Sequence, residues 1–228
     1  MLSLSSYKNA ALLVTAVIFA VAYQVAPVIE GSIAFIVLKA GGCFLLALFA
    51  YSNLPSGKAQ KLMTAALLAS CLGDIFLAIR TSDYFIQGLG SFLVAHLLYI
   101  AVFTRYRLPP PLPKSRQMLV GATVFIGLGM IGILWAHLGN LKAPVSIYVT
   151  VIALMTLSAI YSHLPAKLLV SGAFIFMISD AMIAINKFLM PIPMAGTYIW
   201  VTYFTAQLLI TLAVIKGTTD RSFLHSEK

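Results

Sequence analysis

The sequence predicts an all-α integral membrane protein, a bundle of eight transmembrane helices with both termini cytoplasmic, and three observations predict it. Of its 228 residues, 61% are apolar and 9% are charged, with a mean hydropathy of +0.99. A soluble domain carries about 25% charged residues, so a soluble globular enzyme is excluded, and a disordered chain is excluded by the same hydrophobicity. The apolar residues gather into eight runs, at about 9–27, 31–51, 60–79, 84–104, 117–136, 143–162, 165–186 and 194–215. Each approaches the roughly 20 residues that cross a bilayer. Finally, Lys8, Lys58, Lys61, Arg105, Arg107, Lys114, Arg116, Lys167, Lys216, Arg221 and Lys228 fall on one face of such a bundle, against Arg80, Lys142 and Lys187 on the other. That asymmetry puts both termini in the cytoplasm and favours an even number of spans.

The elements follow in order. The first run, after Lys8, ends in Ala20-Val21-Ala22, a signal-peptide pattern that a first spanning helix explains equally well in a polytopic chain. The breaks between runs have turn chemistry. They are Pro27 with Glu30-Gly31, Asn53-Leu54-Pro55-Ser56-Gly57, Arg80-Thr81-Ser82-Asp83, Pro109-Pro110-Pro111, Gly139-Asn140, His163-Leu164-Pro165, and Pro191 with Pro193. Eight spans and short loops fill residues 1–228 as a single domain, so function is expected inside the helices or at their mouth. Gly73-Asp74-Ile75-Phe76-Leu77-Ala78-Ile79 is echoed 106 residues later by Ser179-Asp180-Ala181-Met182-Ile183-Ala184-Ile185. An offset of four helices preserves orientation, which describes a parallel 4+4 repeat; coincidence in apolar sequence explains the echo equally well.

The net charge of +9 sits at helix ends, so nucleic acid is not expected as a partner. Arg105, Arg107, Lys114 and Arg116 are expected to set topology and touch anionic lipid. Cys43 and Cys71 lie in apolar runs and read as packing residues. No spaced Cys/His set is present, so no metal and no cofactor is expected. Gly127, Gly129 and Gly132 read as close-packing positions, and Tyr198 and Trp200 as interfacial aromatics.

Three residues stand out because a charge inside a spanning helix costs at least about 2.5–3.5 kcal/mol. They are Lys39, Asp74 and Asp180. At about 1.5 Å per residue, all three are expected roughly 9–13 Å below the outer face. Ser70 shares a helix face with Asp74 (i, i+4), His96 with Tyr99 (i, i+3), and Tyr203 with Gln207 (i, i+4). His96 is expected deeper, as the floor of a cavity. A purely structural reading makes Lys39 and Asp74 a buried ion pair between neighbouring helices, though it does not account for Asp180. Two carboxylates in a low-dielectric pocket divide into a protonated acid and an ionised base, titrating as a coupled pair. That division suits an acid-labile C–O bond cleaved through an oxocarbenium-like state. The natural substrate reached from a membrane is an amphiphile.

The same residues carry a family resemblance. Ser70-x-x-Gly73-Asp74-x-x-Leu77, Phe92-x-x-x-His96-x-x-Tyr99, Gly172-Ala173-x-x-Phe176-x-x-Ser179-Asp180 and Tyr203-x-x-Ala206-Gln207-x-x-Ile210 resemble the YhhN-like integral membrane proteins, the lysoplasmalogenase family. Lys39 matches the lysine of a Lys-Pro step in that family, with Ala40 standing in place of the proline. The resemblance implies an eight-helix hydrolase that cleaves the vinyl ether bond of lysoplasmalogens to a fatty aldehyde and a glycerophospho-head group. It implies Asp74 and Asp180 as catalytic residues, with Lys39, Ser70, His96, Tyr99, Ser179, Tyr203 and Gln207 binding substrate or supporting them. A Lys39 neighbouring Asp74 would favour the ionised role for Asp74. The partners expected are a lysophospholipid substrate and membrane lipid, in a bacterial inner membrane or, alternatively, the endoplasmic reticulum. Two rival classes remain: a proton-coupled transporter using the Asp/Lys/His set, and a non-catalytic lipid-binding protein.

Overall fold

A computed structural model describes residues 4–79 and 83–226, with the backbone alone at 4–7 and 220–226. Arg80, Thr81, Ser82 and Lys228, used above for topology, lie outside the described residues, as does the side chain of Arg221. The helices are α1 (Leu4–Val25), α2 (Ile33–Asn53), α3 (Lys58–Ala78), α4 (Phe85–Phe103), α5 (Lys114–Leu134), α6 (Lys142–Ile160), α7 (Ala166–Phe188) and α8 (Ala195–Ser226). Among the described residues, eight helices are long and apolar enough to cross a membrane, and the one β pairing is an isolated bridge between Arg107 and Ser162.

Helix ends differ from the hydropathy boundaries by a few residues, for local reasons. α1 stops at Val25, before Pro27 removes a backbone donor. α2 starts only after Ser32, whose hydroxyl accepts from the Phe35 amide at 3.2 Å as an N-cap. Gly139, at φ 49°, opens the second of two short 3-10 turns, Trp135–His137 and Gly139–Leu141, that join α5 to α6. The largest departure is α8, expected to end near 215 and running to Ser226. Hydropathy measures the length that suits lipid, whereas a helix continues as long as its backbone bonds do.

The chain divides into two compact units, Met1–Tyr99 with Thr218–Lys228, and Ile100–Gly217. In the first, small residues let helices approach. A Cβ at Gly41 would lie 2.5 Å from the Phe19 ring, so glycine there sets the α1–α2 spacing. The Sγ of Cys71 donates to the Ala40 carbonyl at 3.3 Å, tying α3 to α2. Gln60, buried at the start of α3, donates from Nε2 to the Tyr51 carbonyl at 2.6 Å and the Leu54 carbonyl at 3.3 Å. These are carbonyls that the end of α2 would otherwise leave unsatisfied. Leu46, Met63, Leu67 and Tyr99 are fully buried. Cys43 and Cys71 are buried free thiols.

In the second unit, Leu134, Leu138, Val145 and Val149 form an apolar cluster against Ala184 and Phe188, which joins α5, α6 and α7. Gly172 admits Ile210 and Leu209 of α8, where a Cβ would meet Ile210 at 3.0 Å. The α6–α7 turn is laced to the segment after α4. His163 N donates to the Tyr106 carbonyl at 2.8 Å, Leu108 N to the Tyr161 carbonyl at 2.7 Å, and Arg116 Nη1 to the Ile160 and Ser162 carbonyls, both at 2.6 Å. Arg116, read in the sequence as a topology charge, is thus a cap on the end of α6. Two sequence expectations are corrected. Gly127 packs near Ala153, as a close-packing residue would, but Gly129 and Gly132 have open space where a Cβ would stand. Trp200 is no interfacial aromatic: it is 3% exposed and stacks on Phe204, because its helix face turns inward, while Tyr198 is 50% exposed.

Candidate active site

In the first unit the site residues lie on α2, α3 and α4. Two contacts set the register of α3 against α4. Leu77 covers Gly88, and Phe92 covers Gly73, where a Cβ would lie 2.6 Å from its ring. Because the helices run antiparallel, Ser70 then lies level with His96, and Ala66 level with Tyr99. Asp74 is 1% exposed, directly after the glycine that Phe92 covers. One turn away are Ser70 and His96, both 0% exposed, and a further turn along is Tyr99, also 0%. The Ser70 hydroxyl has no hydrogen-bond partner among the described residues. Lys39 is half-buried, with Nζ 5.9 Å from the Tyr23 ring centre, within cation–π range. Its neighbour Ala40 is the residue held by Cys71, one turn before Asp74.

In the second unit, Asp180 lies on α7, eight residues before the end of the helix, and is half-buried. Its Oδ2 accepts a 2.6 Å hydrogen bond from the hydroxyl of Tyr148 on α6. Ser179, 0% exposed, donates to the Ile199 carbonyl of α8 at 3.0 Å, so its hydroxyl clasps two helices. Phe176 meets Tyr203 edge-on, with ring centres 5.4 Å apart. Together with Gly172 against Ile210, these contacts fix the α7–α8 register. Tyr203 lies level with Phe176, one turn from Asp180. Gln207, 0% exposed, lies level with Gly172, about 12 Å along α7 from Asp180 at 1.5 Å per residue. Tyr203 therefore stays near the aspartate level, and Gln207 does not.

Tyr148 escaped sequence reasoning. It is one of ten tyrosines, its partner is 32 residues away, and no spacing on its own helix distinguishes it from a packing aromatic. The only available signal was indirect, since a carboxylate inside a spanning helix needs donors.

Comparison with known proteins covers the segments just described. The model of the YhhN family matches residues 34–214. The lysoplasmalogenase of Mycobacterium bovis is 34% identical over 182 residues, which are 78% of this chain and 69% of the relative. Human lysoplasmalogenase TMEM86A is 31% identical over 167 residues, covering 66% of this chain and 64% of the relative. Human lysoplasmalogenase TMEM86B is 30% identical over 178 residues, covering 78% and 74%. No solved structure matches.

Proposed function

The chain belongs to the YhhN family, and from that premise we propose that it is a lysoplasmalogenase, a membrane hydrolase of the vinyl ether bond, with Asp74 and Asp180 as its acid–base groups. The observation that carries the reading is the match to the YhhN family over 34–214, a stretch that contains both intramembrane aspartates, together with relatives named for that activity. The chemistry supports it. A vinyl ether hydrolyses when a general acid protonates the alkene carbon remote from oxygen, which leaves an oxocarbenium ion. Water adds to the cationic carbon, a base takes its proton, and the hemiacetal collapses to a fatty aldehyde and the glycerophospho-alcohol. Two carboxyl groups suffice for those proton transfers, and negative charge near the cation lowers its energy in a site that excludes bulk water.

The substrate is an amphiphile, a single chain with a glycerophosphoethanolamine or glycerophosphocholine head. Lys39 supports the phosphate end, and Ser70, His96, Tyr99, Ser179, Tyr203 and Gln207 are binding or supporting residues. Aldehyde release from lysoplasmenylethanolamine by the detergent-purified protein tests the reading. Release by the parent is expected, with loss in Asp74→Asn and Asp180→Asn. Absence of release from folded parent with either head group overturns it.

A further inference from the structure

We propose that Tyr148 is a positioning residue for Asp180, orienting its carboxylate for the hydrolysis; this inference rests on the lysoplasmalogenase reading. The hydroxyl stands 2.6 Å from Oδ2, in the short range typical of hydroxyl–carboxylate bonds. The phenol is held firmly at its other end. Tyr148 is 7% exposed, and Val145, Val149 and Ile152 beside it on α6 are buried. The cluster that includes Val145 and Val149 also holds Ala184 and Phe188, one and two turns beyond Asp180 on α7. Two helices are thus fixed against each other on the same side as the bond, so the bond fixes the carboxylate and not merely the tyrosine. With Oδ2 turned to the phenol, the plane of the carboxylate and the direction of Oδ1 are set.

A phenylalanine would serve the apolar packing equally well. A buried hydroxyl is unfavourable unless it is satisfied, and here the group that satisfies it is an expected catalytic carboxylate. The logic is that of any acid–base group steered by a third residue. Proton transfer and cation stabilisation depend on sub-ångström placement, and an error of about 1 Å can cost a hundredfold in rate. The competing view, a simple α6–α7 clasp, predicts lost stability with unchanged chemistry per folded molecule.

The test compares the parent, Tyr148→Phe, and the parent carrying 3-fluorotyrosine at 148, all purified in detergent and assayed on lysoplasmenylethanolamine. Tyr148→Phe is expected to lower kcat about tenfold with KM within about twofold, a modest fraction of the effect of losing the acid–base group itself. Fluorotyrosine, which keeps the hydroxyl and the shape, should retain kcat within about threefold. An unchanged kcat in folded Tyr148→Phe overturns the inference. If the phenylalanine variant does not fold, 4-fluorophenylalanine at 148, which fills the place of the hydroxyl without a donor, replaces it, and an unchanged kcat in that folded protein overturns the inference instead. A parent that releases no aldehyde overturns the lysoplasmalogenase reading and the catalytic half of this inference with it. The contact itself is then judged by infrared spectroscopy. The carboxyl band assigned through Asp180→Asn should shift in Tyr148→Phe, and an unshifted band overturns the bond.

Discussion

In α3 the residue before the aspartate is Gly73, and the ring of Phe92 lies across it; in α7 it is Ser179, whose hydroxyl holds the Ile199 carbonyl. The two places correspond, because each joins the aspartate-bearing helix to the next one along. One turn from the aspartate, α3 and α4 set Ser70 level with His96, where α7 and α8 set Phe176 level with Tyr203. Two turns away, Ala66 lies level with Tyr99 in one unit and Gly172 with Gln207 in the other. The segments related by the echo of 106 residues thus share their levels against the next helix, with different partners. Polarity does not follow it. Asp74 is 1% exposed and sits beside an aromatic lid, while Asp180 is half-buried and bonded to a phenol from a third helix. A shared backbone arrangement fixes where an aspartate sits, and the neighbouring helix decides what surrounds it.

Substitutions can break that comparison at successive levels. The largest effect is expected from the aspartates themselves. Asp74→Asn and Asp180→Asn should each lower the rate of aldehyde release at least a hundredfold, and a variant that keeps more than a tenth of the parent rate would remove that aspartate from the acid–base pair. Next is Gly73→Ser, which installs in α3 the residue found in α7. Its Cβ would press on the Phe92 ring at 2.6 Å, so overpacking should cost about 1–3 kcal/mol, seen as a lower thermal midpoint in detergent. The reciprocal probe, Ser179→Ala, removes one helix–helix bond and should cost only about 0.5–1.5 kcal/mol. Equal losses in the two variants would mean that Phe92 moves aside freely. The smallest effect belongs to Gly129→Ala and Gly132→Ala on α5, where a Cβ meets open space. Their stability should equal the parent's or exceed it by up to about 1 kcal/mol, the helix-propensity gain of alanine over glycine, and they set the baseline for the other two.

Much of this was legible in the sequence for a physical reason: lipid tolerates few kinds of residue. Eight apolar runs separated by Pro and Gly clusters gave eight helices, because unsatisfied backbone cannot stand in a bilayer. Asp74 and Asp180 stood out in the sequence because a charge inside a spanning helix is costly, and the structure buries the first and bonds the second to a phenol. What escaped were contacts whose partner lies on another helix. Ser179 spends its hydroxyl on a backbone carbonyl, which every residue has. Trp200 looked like a membrane-surface aromatic because of its place near a helix start, yet the direction of its helix face buries it against Phe204. Tyr148 was hidden among its own kind. The end of α8 was missed because hydropathy stops where lipid stops.

The clamp made by Arg116 bears on how the protein is built. Arg116 leaves the ribosome 44 residues ahead of the Ile160 carbonyl it grips and 46 ahead of that of Ser162. During synthesis its charge is expected to orient α5 at once, but its Nη1 has nothing to hold until the α5–α6 hairpin is complete. One side chain thus serves two stages in succession, first as a signpost for insertion and then as a latch on the finished hairpin. A lysine in its place would keep the signpost and weaken the latch, since its side chain is one bond shorter and its nitrogen falls short of the place where Nη1 meets both carbonyls. The defect would show only in chains long enough to include the end of α6.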